Sequence, residues 1–184
     1  MFDRLTRGMH HTATIISAAW TAPKRELFVR MVAFSRALPQ QFNQPLPEMM
    51  RHLTPGELAN TLSDNAQSQP GVVSTPLTRS IHPPAAKVSL TADEVRHLAD
   101  AVAAWHLRSP LGVCLRRSLL RYHFLREVGL PVNIVFGARL KDSQEGGSIG
   151  GHAWLTLDGS PYYENPDDYA GFAVMYTYPV DNRQ

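Results

Sequence analysis

Apolar and polar residues recur with helical spacing in the first third of the chain. Between Lys24 and Leu38, apolar residues return every three or four positions, and most basic residues fall on the remaining positions. We expect this helix to end at Pro39, because proline disrupts a helix interior. The stretch Thr54-Pro55-Gly56-Glu57 has the pattern of a capping box with proline at the first helical position, and it predicts a short second helix that ends near Leu62.

Residues 64–90 lack any such pattern. They contain four prolines, several serines and glutamines, and only three charged residues. This composition is typical of a long connection rather than of a packed element. We therefore divide the chain into a helical N-terminal region at 1–63, a Pro/Ser/Gln-rich connection at 64–90 and a main domain at 91–184.

Helical spacing returns at residue 91. A second capping box, Thr91-Ala92-Asp93-Glu94, precedes apolar residues at helical spacing and predicts a helix over 92–107. The loop at 109–112 contains proline and glycine and interrupts the pattern. The next helix is expected to begin near Cys114 and to stop at Gly129, with Pro131 directly beyond it.

The period then changes from that of a helix to that of a strand. Residues 132–140 are rich in β-formers, residues 152–157 alternate, and residues 172–178 have the composition of a further strand. Asp158-Gly159 is a strong signal for a hairpin turn, which returns the chain at Tyr162 and Tyr163. Helices followed by antiparallel strands predict an α+β fold with helices on one face of the sheet.

Composition narrows the functional classes. The 184 residues are 43% hydrophobic and 18% charged, which excludes a wholly disordered chain and a coiled coil. A net charge of +2 gives no indication of nucleic-acid binding. No apolar run approaches the length of about 18 residues that a membrane-spanning helix needs, and we expect a cytoplasmic protein. A single cysteine excludes a disulfide framework and a multi-cysteine metal site, and no P-loop motif is present, so we expect neither a metal nor a cofactor.

Cys114 is the first candidate for chemistry. It lies at the predicted start of a helix, where unpaired amide groups and the helix dipole favour a thiolate. The same amides are able to donate hydrogen bonds to an oxyanion formed at an attacked carbonyl. The alternative interpretation is a small residue of the core, which is the usual role of an unpaired cysteine in a helix.

A histidine and a carboxylate complete a possible triad. His152 follows the glycine-rich run 146–151, which is expected to form a flexible edge, and a histidine there is able to take a proton from the cysteine. The alternative is a surface histidine at a strand end. The hairpin is expected to place Glu164 beside His152 across the ladder, where a carboxylate orients the imidazole. Asp167 and Asp168 are competitors for that role, as is Asp158, although the turn is expected to use Asp158.

Basic and aromatic residues have structural interpretations. Four arginines make the cysteine helix basic, and they form either a solvated helix face or a contact with an acidic leader or with the acidic segment 142–184; they are Arg116, Arg117, Arg121 and Arg126. We expect Trp105 and Trp154 to be core aromatics. We assign His10 and His11 to a mobile terminus, because no other ligand cluster accompanies them.

Three blocks of sequence resemble the transglutaminase-like cysteine peptidases of lasso-peptide biosynthesis, which are called the lasso-peptide B proteins. They are a Cys-Leu-x-Arg-Ser-Leu helix at 114–119, a Gly-Leu-Pro turn into a strand at 129–139, and a His-Ala-Trp strand that ends in Asp-Gly at 151–159. The resemblance covers about residues 90–178, and 22–62 look like the less specific N-terminal helices of the family. It implies a transglutaminase/papain-like core, in which the helix of the nucleophile packs on an antiparallel sheet.

The resemblance also implies a function, which is removal of the leader from a ribosomally made precursor peptide. Cys114 matches the nucleophile of the family and His152 its base, while Glu164 stands where the family has its acid, typically an aspartate. The implied partners are the precursor leader, a separate leader-recognition protein and an ATP-dependent lasso cyclase. Two alternatives remain open: transfer of the acyl group to an amine by the same triad, and a non-catalytic partner of the maturation complex.

Overall fold

The computed structural model describes residues 21–56, 90–105, 109–141 and 147–179. It contains helices and one antiparallel sheet, as the α+β prediction requires. The four longer helices precede the strands along the chain. The elements are α1 (Ala22–Gln41), α2 (Leu46–Leu53), α3 (Ala92–Trp105), α4 (Val113–Glu127), β1 (Asn133–Leu140), β2 (Ile149–Leu157), β3 (Ser160–Pro161), α5 (Pro166–Tyr169) and β4 (Ala173–Tyr178).

The sheet has the strand order β3-β2-β1-β4, and all its pairs are antiparallel. Side chains alternate between its two faces. Ile134 and Leu155 pair across β1 and β2 and are fully buried in one core with residues of the helices. Val135 and Trp154 pair in the next register position and therefore lie on the opposite face. The helices thus cover one face of the sheet, which confirms the predicted arrangement.

The predicted starts of α3 and α4 are confirmed. The backbone N–H of Glu94 donates to Thr91 Oγ1 at 3.2 Å, and the N–H of Thr91 donates to Glu94 Oε2 at 3.0 Å, which is the reciprocal pairing of a capping box. α4 begins at Val113. It is followed by Gly129 with a φ of 91°, a left-handed conformation that glycine adopts without strain.

The N-terminal helices differ from the prediction at two points. Pro39 lies inside α1, which continues to Gln41, so the predicted end is wrong. The proline removes one hydrogen bond near the helix end, while Leu38 beside it is only 1% exposed and anchors that turn in the core. Thr54 is the C-terminal cap of α2, a helix that the sequence analysis missed. The capping box predicted at Thr54 is therefore wrong, and Gly56 adopts a left-handed φ of 91° where the helix was expected. The remainder of that predicted helix, 57–62, and residues 64–89 of the predicted connection lie outside the described residues.

Of the two tryptophans that were expected in the core, one is buried and one is exposed. Trp154 is 5% exposed and is a core aromatic as expected. Trp105 is 57% exposed at the last residue of α3, so the corresponding expectation for it is wrong. Its ring contacts only one described aromatic side chain, Phe28, at a centroid distance of 5.9 Å. Helical spacing alone does not reveal that the side chain at this position is exposed.

Candidate active site

Cys114 is the second residue of α4, in the turn where backbone amides have no partner within the helix. Gly112 is the N-cap, and a Cβ added to this glycine would lie 3.9 Å from Cys114 Sγ. The thiol is therefore beside the loop that enters the helix. Cys114 is a free cysteine of intermediate exposure, whereas a core cysteine is usually buried.

A buried hydrogen bond joins this end of α4 to strand β2. Ser118 Oγ donates to the carbonyl oxygen of Ala153 at 2.7 Å. Ser118 follows Cys114 by one helical turn, which is about 6 Å along the axis, and Ala153 directly follows His152. Cys114 and His152 are thus each close in sequence to one end of the contact that connects their two elements.

His152 lies in an aromatic environment. Its ring centroid is 5.9 Å from that of Trp154 and 5.3 Å from that of Phe172. Its Nε2 atom is buried and has no hydrogen-bond partner among the described residues. Burial lowers the pKa of His152, the positive charge of Arg117 lowers it further, and the negative charge of Asp168 opposes both effects. A neutral imidazole at neutral pH is the form that a proton acceptor needs.

The glycines before His152 have a different role from the predicted one. β2 begins at Ile149, so His152 is the fourth residue of the strand rather than its first. Gly150 and Gly151 pair with Arg139 and Ala138 of β1 and are not a flexible edge. These two glycines are paired because β1 extends to Leu140 and lies beside them in the sheet.

Gly137 is a site residue that the sequence analysis missed. It pairs with His152 across the ladder. A Cβ at this position would lie 2.7 Å from Cζ3 of Trp154 and 3.1 Å from Cβ of Phe172. The glycine therefore allows the two aromatic residues that flank His152 to approach β1. A glycine in the middle of a predicted strand is the signal that would have indicated such a close approach.

Glu164 lies among arginines. Its side chain is fully buried; Oε2 accepts a hydrogen bond from Arg117 Nη2 at 2.7 Å, and Oε1 accepts one from Arg121 Nη1 at 3.1 Å. Arg121 also donates to both carboxylate oxygens of Asp100, at 2.5 and 2.7 Å. We call these four residues the buried ion cluster. Burial raises the pKa of Glu164, against the opposing effect of the two arginines.

The ion cluster corrects one interpretation of the basic helix. Arg116 and Arg121 are 4% and 3% exposed, so the solvated-face interpretation is wrong for them. The alternative contact with the acidic C-terminal segment is confirmed, because Glu164 belongs to that segment. Arg117 and Arg121 are one turn apart, and this spacing lets both reach the same carboxylate.

The predicted position of Glu164 across the ladder is wrong. β3 pairs with β2 only at Leu157–Ser160 and Thr156–Pro161, and one further hydrogen bond joins Tyr162 to Leu155. The chain then turns away: Tyr163 adopts a φ of 50°, which is left-handed. The Glu164 carboxylate instead accepts a hydrogen bond from the backbone N–H of Leu155.

The three aspartates that competed with Glu164 lie in two places. Asp158 occupies the hairpin turn, as expected, with a φ of 50°. Asp167 and Asp168 lie in α5, where the side chain of Asn165 accepts from the N–H of Asp167 at 3.3 Å. Of these carboxylates, Asp168 is the one whose charge raises the pKa of His152. The assignment of Glu164 as the acid of a triad stays a prediction.

The described residues contain no group of three His, Cys, Asp or Glu side chains suited to a metal ion. None of the helices in 21–56, 90–105, 109–141 and 147–179 is both long and apolar enough to cross a membrane. His10 and His11 lie outside those ranges.

Comparison with known proteins gives one match. A sequence family described as the transglutaminase-like superfamily matches residues 68–177, which is well over half of the chain. No curated protein matches, and no solved structure matches. Cysteine-protease-type enzymes are common in this superfamily. The matched region contains the helix of Cys114, the strand of His152 and the buried ion cluster, and the chain belongs to the transglutaminase-like superfamily.

Proposed function

We propose that the chain is a cysteine peptidase that removes the leader from a ribosomally synthesised precursor peptide during lasso-peptide maturation. The observation that carries the enzyme assignment is the buried hydrogen bond from Ser118 to Ala153, which joins the Cys114 end of α4 to the strand of His152. Membership of the superfamily supports a cysteine-based site. The resemblance of the three sequence blocks to lasso-peptide B proteins supports the substrate class.

In the proposed mechanism, neutral His152 takes the proton from the Cys114 thiol, and the thiolate attacks the carbonyl carbon at the end of the leader. Amide groups in the first turn of α4 are available to stabilise the resulting oxyanion. When the intermediate collapses, the peptide C–N bond breaks and the imidazolium gives its proton to the leaving amine. Water then attacks the acyl-enzyme with His152 as base, and it releases the leader carboxylate and the free thiol.

The third member of the triad has two candidates. Glu164 has the sequence position that the resemblance favours, but both of its oxygens accept hydrogen bonds from arginines. Asp168 acts on His152 through its charge, and the buried Nε2 atom of the imidazole lacks an acceptor among the described residues. Because a nearby negative charge stabilises the imidazolium, we propose that Asp168 supplies this function through its charge.

The test is cleavage of a synthetic precursor peptide taken from a short reading frame beside a cyclase gene. The chain is incubated with this peptide, with and without a leader-recognition protein, and products are identified by mass spectrometry. We expect the wild-type chain to release the leader with a free carboxylate, and Cys114→Ala to release none. Cleavage by Cys114→Ala at the wild-type rate would contradict the proposal.

The same assay separates the two alternatives. Added methylamine gives an amide at the leader terminus if the acyl-enzyme transfers to amines, and it leaves the carboxylate product unchanged if water is the acceptor. A non-catalytic partner gives neither product, and its Cys114 thiol reacts with iodoacetamide no faster than a free cysteine.

The assignment of Asp168 is tested in the same assay. We expect Asp168→Asn to lower the cleavage rate by about 10- to 1,000-fold, which is less than the loss of about 10⁴ for the aspartate of a serine-protease triad. Asp167→Asn is the matched control, because it removes the same charge from the neighbouring residue of α5. An Asp168→Asn variant that cleaves as fast as the control would refute this assignment.

A further inference from the structure

The buried ion cluster has no net charge. Arg117 and Arg121 supply two positive charges, and Asp100 and Glu164 supply two negative charges. Asp100 also lies 3.6 Å from Arg96, whose charge is balanced by Asp93 at 2.7 Å. The side chain of Glu164 is 0% exposed and that of Arg121 is 4% exposed, so solvent screens their interaction poorly. Removing one member of such a cluster leaves an uncompensated charge that its neighbours experience.

Arg117 is the member of the cluster beside the contact between the two candidate elements: it precedes Ser118, which donates to the carbonyl of Ala153, the residue after His152. Its guanidinium donates to Glu164, and its charge acts on His152. The other charged group that acts on the imidazole is Asp168, from α5. From β1, Arg139 lies over the ring of Phe172 at 5.3 Å, and Phe172 contacts the imidazole. His152 is therefore flanked by charged groups from three elements, and Arg117 is one that binds a buried carboxylate.

We propose that Glu164 is a positioning residue: its carboxylate holds Arg117 and neutralises its charge, so that His152 faces a compensated guanidinium when it carries the proton taken from Cys114. This inference rests on the proposed function, because it gives His152 the part of the base. It assigns Glu164 an indirect action through Arg117, which differs from the direct hydrogen bond of a triad acid. Arg121 holds the second oxygen and so fixes the carboxylate relative to the helix of the nucleophile.

The experiment is an NMR titration of the His152 imidazole in the full chain. Every sample carries Cys114→Ala so that the thiol does not titrate with the imidazole, and the His152 signal is identified by its loss in His152→Gln. The variants are Glu164→Gln, Arg117→Gln and the double variant. Asp167→Asn is the matched control, because it removes one carboxylate from an exposed position of α5.

We expect Glu164→Gln to lower the pKa of His152 by about 0.5–1 unit, because the charge of Arg117 is then less compensated. Arg117→Gln is expected to raise this pKa, and the double variant is expected to return it to the wild-type value or above. Asp167→Asn should leave it unchanged. The diagnostic comparison is between the double variant and Arg117→Gln: equal pKa values of His152 in these two proteins show that Glu164 acts only through Arg117, because the two effects are then non-additive.

Two results would overturn the inference. If Glu164→Gln lowers the pKa of His152 by the same amount with and without Arg117, Glu164 acts directly on the imidazole. If neither Glu164→Gln nor Arg117→Gln changes it, the cluster is only structural. If Glu164→Gln does not fold, the titration of Arg117→Gln tests the inference by itself. An unchanged pKa of His152 in Arg117→Gln would show that Arg117 does not act on the imidazole, and the inference would then be wrong. The titration needs no substrate, so it can succeed even if no peptide is cleaved, and the two proposals fail separately.

Discussion

The two faces of the sheet differ in the kind of side chain they carry. One face packs against the helices through fully buried aliphatic residues such as Ile134 and Leu155. The other carries His152 and Trp154 over Gly137, with aromatic neighbours from the segment after the hairpin. The first face also packs against α4, the helix of Cys114, so its core residues support both the stability of the fold and the position of the proposed nucleophile. The second face surrounds His152, whose replacement is expected to affect the chemistry more than the stability.

The largest expected effect is on the second face. His152→Gln removes the proposed general base, and we expect peptide cleavage to fall by about 10²- to 10⁴-fold. The free energy of unfolding should change little, because glutamine has a similar volume. Cleavage kinetics and urea denaturation of the same samples check both parts. A variant that loses stability and activity together would break the distinction between the faces.

On the first face, Leu155→Ala is expected to lower the free energy of unfolding by about 2–5 kcal/mol. Leu155 is 0% exposed in the core between the sheet and the helices, so the substitution leaves a cavity. Val174→Ala in β4 is the control, since Val174 is 60% exposed, and its effect should stay within about 0.5 kcal/mol. Equal losses in the two variants would contradict the described core.

Gly137→Ala tests the packing of the second face, because it inserts a methyl group between β1 and the ring of Trp154. We expect a loss of about 1–3 kcal/mol in the free energy of unfolding, together with slower cleavage, since the ring beside His152 must move. Gly151→Ala is the control for stability, because an added Cβ there has nothing within 4 Å. Denaturation curves for the two variants should therefore differ, and coincident curves would show that the close approach to Trp154 is absent.

The smallest expected effect is a dependence of stability on pH. Burial lowers the pKa of His152 and of His123 below the unfolded value of about 6.5. Between the folded and unfolded values the unfolded chain binds more protons, so the free energy of unfolding falls as the pH decreases through 6.5. His152→Gln should reduce this slope, measured by urea denaturation between pH 5.5 and 7. A slope of the opposite sign would contradict the described burial.

Sequence patterns predicted the helices and turns well where interactions between neighbouring residues determine them. Capping at Thr91, the left-handed position at Gly129 and the turn at Asp158-Gly159 each depend on a few neighbouring residues, and all three are confirmed. The two faces of β1 and β2 follow from alternation. Pro39 was misjudged because tertiary packing of Leu38 outweighs the local preference of proline.

The candidate site was predicted less completely, since it depends on contacts between distant residues. The sequence indicated Cys114 and His152 by their places at a helix start and in a strand. It did not reveal that Glu164 binds arginines 47 and 43 positions earlier, because neither pairing has a local signature. Gly137 carried a readable signal, but its partner Trp154 becomes its neighbour only through the register of the sheet.

The most direct test of the central claim, that His152 activates Cys114, is the alkylation of the cysteine by iodoacetamide at pH 6.5. Cys114 is the only cysteine of the chain, so the mass of the intact protein reports one thiol. Wild type is compared with His152→Gln and with His52→Gln, which changes an exposed histidine of α2. We predict that wild type and His52→Gln react at the same rate and about 10-fold or more faster than His152→Gln. Equal rates in all three proteins would contradict the account.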